Sequence, residues 1–197
     1  KEVHDIAVKT FGKNKHVIVC GYGRSGQNLA RLLEAEGITF VALDADPERI
    51  HAVAASGVSV VYGDASRREV LVAAGLSRAE AVVVTYADVH SSMAILRHVR
   101  ELRPELPVVV RTIDDTHIDA LKAAGAAEVV SEVMEGSLML ASHALMLLGV
   151  PLSQVLKRIR TVRESRYALM RGFFRGASDA DDELDQHAQP RLNTVLI

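Results

Sequence analysis

Hydrophobic and polar positions along this chain follow two alternating periods. Six short runs rich in Val, Ile or Thr, at residues 17–20, 39–43, 58–61, 81–84, 108–111 and 128–130, have the near-continuous apolar character of parallel strands covered on both faces. Between them lie stretches with helical spacing near 25–36, 47–55, 66–74, 88–102 and 115–124. Pro47 stands where a first-turn proline belongs, behind Asp46 as a candidate cap, and Gly37, Gly57, Gly75 and Gly125 punctuate helix ends. Strands alternating with helices predict an α/β fold, a Rossmann-like doubly wound parallel sheet with right-handed crossovers.

The alternation stops near residue 131. The segment "MEGSLMLASHALMLLG" is apolar on too many sides for an exposed helix, yet too short to span a bilayer. A second helix after Pro151 carries Leu152, Val155, Leu156, Ile159 and Val162 at helical spacing, with Lys157, Arg158, Arg160, Arg163, Arg166, Arg171 and Arg175 crowded on its other positions. "ASDADDELDQHAQP" then turns acidic and polar, which is linker chemistry, and the closing "RLNTVLI" resembles the first strand of a further lobe.

Composition narrows the function classes. Hydrophobic residues at 49% with 24% charged describe a globular chain of 197 residues. A formal net charge of −2 gives no reason to expect nucleic acid or a membrane surface as partner. The single cysteine, Cys20, excludes an internal disulfide. No secretory leader and no membrane-length apolar run is visible, so the chain reads as soluble and cytoplasmic.

Chemistry concentrates at "CGYGRSGQNLARLLEAEG", residues 20–37. In this G-x-G-x-x-G, Gly21 permits the tight turn, Gly23 lets a pyrophosphate approach the backbone, and Gly26 lets helix pack on strand. The helix beginning near Arg24 offers unpaired N–H groups to phosphate oxygens. Asp44, at the end of the second strand, can accept bonds from ribose hydroxyls, and Ala45 rather than an arginine follows it, which disfavours a 2′-phosphate. Asp64, Thr85 and Arg111 leave the carboxyl ends of later strands, where ligands of such sheets sit. Each has two readings: adenine contact or helix cap for Asp64, ligand contact or turn former for Thr85, phosphate contact or partner of Asp114 or Asp115 for Arg111.

No histidine stands near a cysteine or acid in a nucleophile or metal spacing, so neither catalytic nor metal-ligating residues are expected. A dehydrogenase would also need a substrate domain, and about 65 residues remain after the sixth strand, according to the spacing of the runs. The turn is therefore expected to hold a regulatory ligand, with an NAD-dependent oxidoreductase as the rival class.

Those blocks, "HVIVCGYGRSGQNLARLL", "VALDADPERI", "VVYGDASRREVLVAAGL" and "VVVRTIDDTHIDALKAAGA", resemble the TrkA-N or RCK (KTN) regulatory domain of potassium transport. "GYGRSGQ", "YGDAS" and the tail "PLSQVLKRIRTVRESRYALMRGFF" are most similar to Kef-type potassium/proton antiporters. The resemblance implies a domain that dimerises, binds NAD(H) or an AMP-type adenine nucleotide without turning it over, and gates a membrane-embedded antiporter domain of the same polypeptide at the inner face of the cell membrane. It assigns phosphate contact to Gly21, Gly23, Arg24, Ser25 and Gly26, ribose to Asp44, adenine to Asp64 with Ala65 in the same block, and ligand contact to Thr85 and Arg111. A glutathione-type effector is a further implied partner, with no residue assigned to it, and a soluble Trk-like regulatory subunit is the alternative within the same family. The organisation expected is an N-terminal linker at 1–14, a Rossmann N-lobe at 15–133, a helical dimerisation segment at 134–176, and an acidic linker with the start of a following lobe at 177–197.

Overall fold

The computed structural model describes residues 1–171, with side chains to 165. Six parallel strands, β1 (Val17–Cys20), β2 (Phe40–Asp44), β3 (Val60–Tyr62), β4 (Ala81–Val84), β5 (Val108–Thr112) and β6 (Glu128–Ser131), form one sheet in the order β3-β2-β1-β4-β5-β6. Helices α1 (Glu2–Thr10), α2 (Arg24–Ala35), α3 (Pro47–Val53), α4 (Arg68–Ala73), α5 (Val89–Leu102), α6 (Ile118–Ala123), α7 (Glu132–Leu147) and α8 (Leu152–Arg171) complete the described chain. Strand order reverses between β1 and β4, which pair Cys20 with Val84, so a crevice opens there beyond the carboxyl ends of the strands.

The interior explains the order. Strands β1 and β2 are buried at every position, and Val17, Val19, Phe40 and Ala42 pack with Ala30 of α2 on one side of the sheet. Asp46 caps α3 as expected, its carboxylate accepting from the Glu48 N–H at 3.0 Å with Pro47 in the first turn. Strands β4 to β6 differ from the doubly covered expectation. Val82, Val84, Val108, Val110 and Val129 are buried, whereas Val83 and Val109 are half-buried and Val130 is 41% exposed. That half of the sheet has one closed face and one half-open face.

The opening residues are not an extended linker. Glu2–Thr10 is helical, and Ile6 is fully buried, meeting the position a β-carbon on Gly63 would take at 2.9 Å. The missed signal is short: Val3, Ile6 and Thr10 are one helical face, too brief a run to stand out from an exposed edge.

The chain divides into two compact units, residues 1–137 and a second from 138 onward. Within the second, Leu138, Ser142 and Val155 are buried, while Met139, Leu140, Met146, Leu147, Leu148, Leu152 and Leu156 are exposed. The expected acidic linker, the "RLNTVLI" strand and Arg175 lie outside the described residues. Among the described residues no helix is long and apolar enough to cross a membrane.

Candidate functional site

The crevice at the switch point encloses about 660 Å³, within the range of small-molecule sites. All of the expected site residues except Gly26 line it: Gly21, Gly23, Arg24, Ser25, Asp44, Asp64, Ala65, Thr85 and Arg111. Gly26 sits beneath, where helix α2 meets the turn.

The turn is built by close contact. Gly21 has a φ of +101°, and a β-carbon there would stand 2.6 Å from Tyr86 Cδ1 and 2.7 Å from Thr85 Oγ1. Gly23 is different: a β-carbon would meet nothing nearer than Arg49 Cζ at 4.0 Å. The space above Gly23 is open to a ligand, at the N-cap position of α2. The Gln27 amide also donates to the Tyr22 carbonyl at 3.1 Å and braces the turn.

Asp44 ends β2 with its carboxylate 6% exposed. One oxygen accepts from the Tyr22 N–H at 2.8 Å and from Arg49 Nη1 at 2.9 Å, the other from the Asp46 N–H at 2.8 Å. The arginine missing after Asp44 in the sequence is thus supplied five residues on, by the first turn of α3. The sequence expectation took in only Ala45, the immediate neighbour of Asp44, and not Arg49. The signal was present in "DADPERI", since a helix that starts directly after a strand end turns its first residues back over that end.

The remaining positions divide. Thr85 Oγ1 lies 2.8 Å from the Gly21 carbonyl and 3.0 Å from the Cys20 carbonyl, so its hydroxyl holds the glycine turn from β4. Asp64 uses one oxygen to accept from the Ser66 N–H (2.9 Å) and hydroxyl (2.7 Å). It therefore closes its own turn rather than capping α4, whose N-cap is Arg67. Arg111 donates to the Thr85 carbonyl at 2.6 Å and pairs with Glu132. Asp114 instead accepts from the Thr116 N–H at 3.0 Å.

Tyr86 borders the crevice and Cys20 lies buried behind it. Burial pushes the Tyr86 hydroxyl well above the ordinary phenol range, with nearby Cys20 adding to the effect while a bond to Ser91 opposes it. The Cys20 thiol, fully enclosed under the turn, is pushed up to about 12 by burial. Both stay protonated at neutral pH, so neither is an activated nucleophile or base. Among the described residues no group of three His, Cys, Asp or Glu side chains could hold a metal ion.

A doubly wound sheet, a glycine turn at the switch point and an acidic residue closing β2 define a domain of the nucleotide-binding Rossmann class. Within that class the chain belongs to the TrkA-N domain family, whose model matches residues 17–132. Over 190 residues it is 37% identical to a putative K(+) efflux antiporter, KefB, of Alkalimonas amylolytica, covering 96% of this chain and 28% of that protein. It is 32% identical over 163 residues to the glutathione-regulated potassium-efflux system protein KefC of Salmonella paratyphi B, covering 83% of this chain and 26% of that protein. The chain therefore spans just over a quarter of the length of these relatives. Among solved structures, the Kef CTD of Shewanella denitrificans in AMP-bound form matches with a TM-score of 0.67 and 30% identity, over 78% of this chain and 93% of that one.

Proposed function

We propose that this chain is the nucleotide-sensing regulatory domain of a Kef-type potassium/proton antiporter, and that an adenine nucleotide, NAD(H) or an AMP-type mononucleotide, binds in the crevice without being turned over. The carrying observation is the pairing of an open backbone at Gly23 with a buried carboxylate at Asp44, 21 residues on in the sequence. The first fits a phosphate at a helix N-terminus, the second a ribose diol. The AMP carried by the Shewanella Kef domain supports this choice, and the KefB and KefC relatives support a potassium-efflux setting.

In this reading the turn from Gly21 to Gly26 and the side chains of Arg24 and Ser25 receive phosphate, Asp44 receives ribose, and Asp64 with Ala65 borders the base. Thr85, just after β4, positions the turn, and Arg111 of β5 ties Thr85 to the start of α7. The domain acts as a homodimer at the inner face of the membrane, and nucleotide acts on the pore by favouring one of two arrangements of the pair. A glutathione-type effector belongs to the same proposal and has no residues assigned.

Gly23→Val tests the site. Gly23 has an ordinary φ of −75° and a β-carbon there meets only Arg49 Cζ, at 4.0 Å, so the variant should fold while its methyl groups enter the phosphate position. Calorimetry should find AMP or NADH binding to the parent and none to the variant at an unchanged melting temperature. A variant that binds as tightly as the parent would remove the crevice from the proposal.

A further inference from the structure

Arg49 spans two parts of the crevice that a nucleotide would contact separately. It belongs to α3, a helix with no fully buried residue, and its guanidinium reaches back over the strand ends. Nη1 lies 2.9 Å from Asp44 Oδ2 and Nη2 lies 3.9 Å from Asp46 Oδ2. Cζ is 4.0 Å from the place a β-carbon on Gly23 would occupy. One cation therefore stands beside the carboxylate that reads ribose and above the turn that seats phosphate.

The acceptors of Asp44 are nearly used up. A carboxylate offers about four lone-pair sites, and the Tyr22 N–H, the Asp46 N–H and Arg49 take three of them. The two backbone donors are fixed by the turn and by the start of α3. A ribose diol donating two hydrogen bonds needs two sites, so Arg49 must yield its place when ribose arrives. A guanidinium cannot shed its charge, and off Asp44 it keeps only solvent and the long 3.9 Å contact to Asp46, so a nearby phosphate is the stronger partner. Arg111 is already bound to the Thr85 carbonyl and Glu132, whereas Arg49 has the phosphate seat at Gly23 within reach.

We propose that Arg49 is a counter-ion exchanged between protein and ligand: Asp44 holds it in the free domain, and the nucleotide's phosphate takes it over as ribose engages Asp44. This rests on the reading of the crevice as an adenine-nucleotide site. It makes Arg49, beside the turn and Arg24, a residue that favours a phosphorylated adenosine over adenosine. Adenosine offers the diol but no anion, and leaves the guanidinium to solvent and the distant Asp46; AMP compensates it through a planar, charge-assisted contact that suits guanidinium and phosphate.

Calorimetry with AMP, and with adenosine read by competition against AMP, on the parent chain, Arg49→Gln and Arg49→Lys tests the exchange. Arg49→Gln should weaken AMP at least tenfold while adenosine binding holds or tightens, because Asp44 is freed. Arg49→Lys should recover part of the AMP loss by restoring the charge without the planar fork. AMP and adenosine shifting by the same factor, or AMP unchanged, would overturn the proposal. A second readout is independent of adenosine: the Nε–H resonance of Arg49 should move when AMP is added, and an unmoved resonance would overturn it as well. A parent chain that binds neither compound removes the nucleotide reading itself. Binding of both with no selective effect of Arg49→Gln removes only the exchange.

Discussion

A β-carbon on residue 26 would lie 2.1 Å from the carbonyl oxygen of Gly21 and 2.9 Å from its carbonyl carbon. Helix α2 thus touches the end of β1 backbone to backbone, and neither partner can swing aside as a side chain could. Gly26→Ala should lose about 1–3 kcal/mol or more of stability through overpacking, despite the gain of about 1 kcal/mol that alanine ordinarily brings to a helix. Urea unfolding of parent and variant measures it. Equal midpoints would mean that the helix can slide outward at no cost.

Nucleotide choice follows from the charges around Asp44. Asp44 and Asp46 place two carboxylates against the one guanidinium of Arg49, so a 2′-phosphate would enter a field that remains net negative. AMP and NAD(H) should raise the melting temperature at concentrations where NADP(H) has little effect, a preference on the order of tenfold or more. An equal thermal shift from NADP(H) would refute the ribose assignment of Asp44. The sequence reached this preference by noting Ala45 where an arginine could stand. The structure supplies an arginine, and the preference rests instead on two acids outnumbering it.

His16 gives a pH dependence that can be worked out in sign. It is fully buried immediately before β1, with Nε2 2.8 Å from the Ala74 carbonyl and Nδ1 without a partner. Burial lowers its pKa below the ordinary imidazole value of 6.5; the Ala74 bond opposes this, and the charges of Arg78 and Lys13 add to it. The unfolded chain therefore takes up a proton near pH 6.5 that the folded chain refuses. The resulting stability is complete above the unfolded value and declines as pH falls toward the folded one, by at most about 1.4 kcal/mol per pH unit. Denaturant unfolding at several pH values should show the stability gap between the parent and His16→Gln shrinking from pH 8 to pH 5.5. A gap independent of pH would mean that His16 titrates alike in both states.

Much of the sheet was legible in the sequence, because each strand is a short β-branched run and each crossover is closed by a cap or a glycine. Asp46 with Pro47 before α3 is the clearest case, and every predicted strand overlaps an observed one. Contacts made across the fold were not legible. The Arg49–Asp44 pair depends on how α3 folds back over β2, and the Arg111–Glu132 pair on the neighbouring registers of β5 and β6. Composition cannot separate a strand buried on both faces from one buried on one, so β4 to β6 read as doubly covered although their side chains alternate in burial. The glycine turn itself was legible because its spacing is local; the residues that pack against it, Thr85 and Tyr86, follow β4, more than 60 residues away.

The C-terminal helices argue for a second copy of the chain. Apolar positions of the expected dimerisation segment, residues 134–176, divide in the structure: Met134, Leu138 and Val155 are buried, whereas Met146, Leu148, Leu152 and Leu156 are open. Leu140 at 75% exposed and Leu147 at 89% extend the open set. That many large apolar side chains on two helices exceed the scattered exposure usual on a monomer and mark a surface meant to be covered. Their neighbours on α8, Lys157, Arg158, Arg160 and Arg163, are exposed and charged, which suits the rim of an interface rather than its centre. A two-fold pair is the commonest closed solution, since it brings the same helices together and leaves no further apolar edge. Light scattering should find a dimer for the parent chain. Leu147→Asp combined with Leu156→Asp should give a monomer of unchanged helical content, because both side chains already face solvent within the single chain and their replacement removes nothing from its core. A monomeric parent, or a double variant that stays dimeric at the same concentration, would show that these helices meet some other partner.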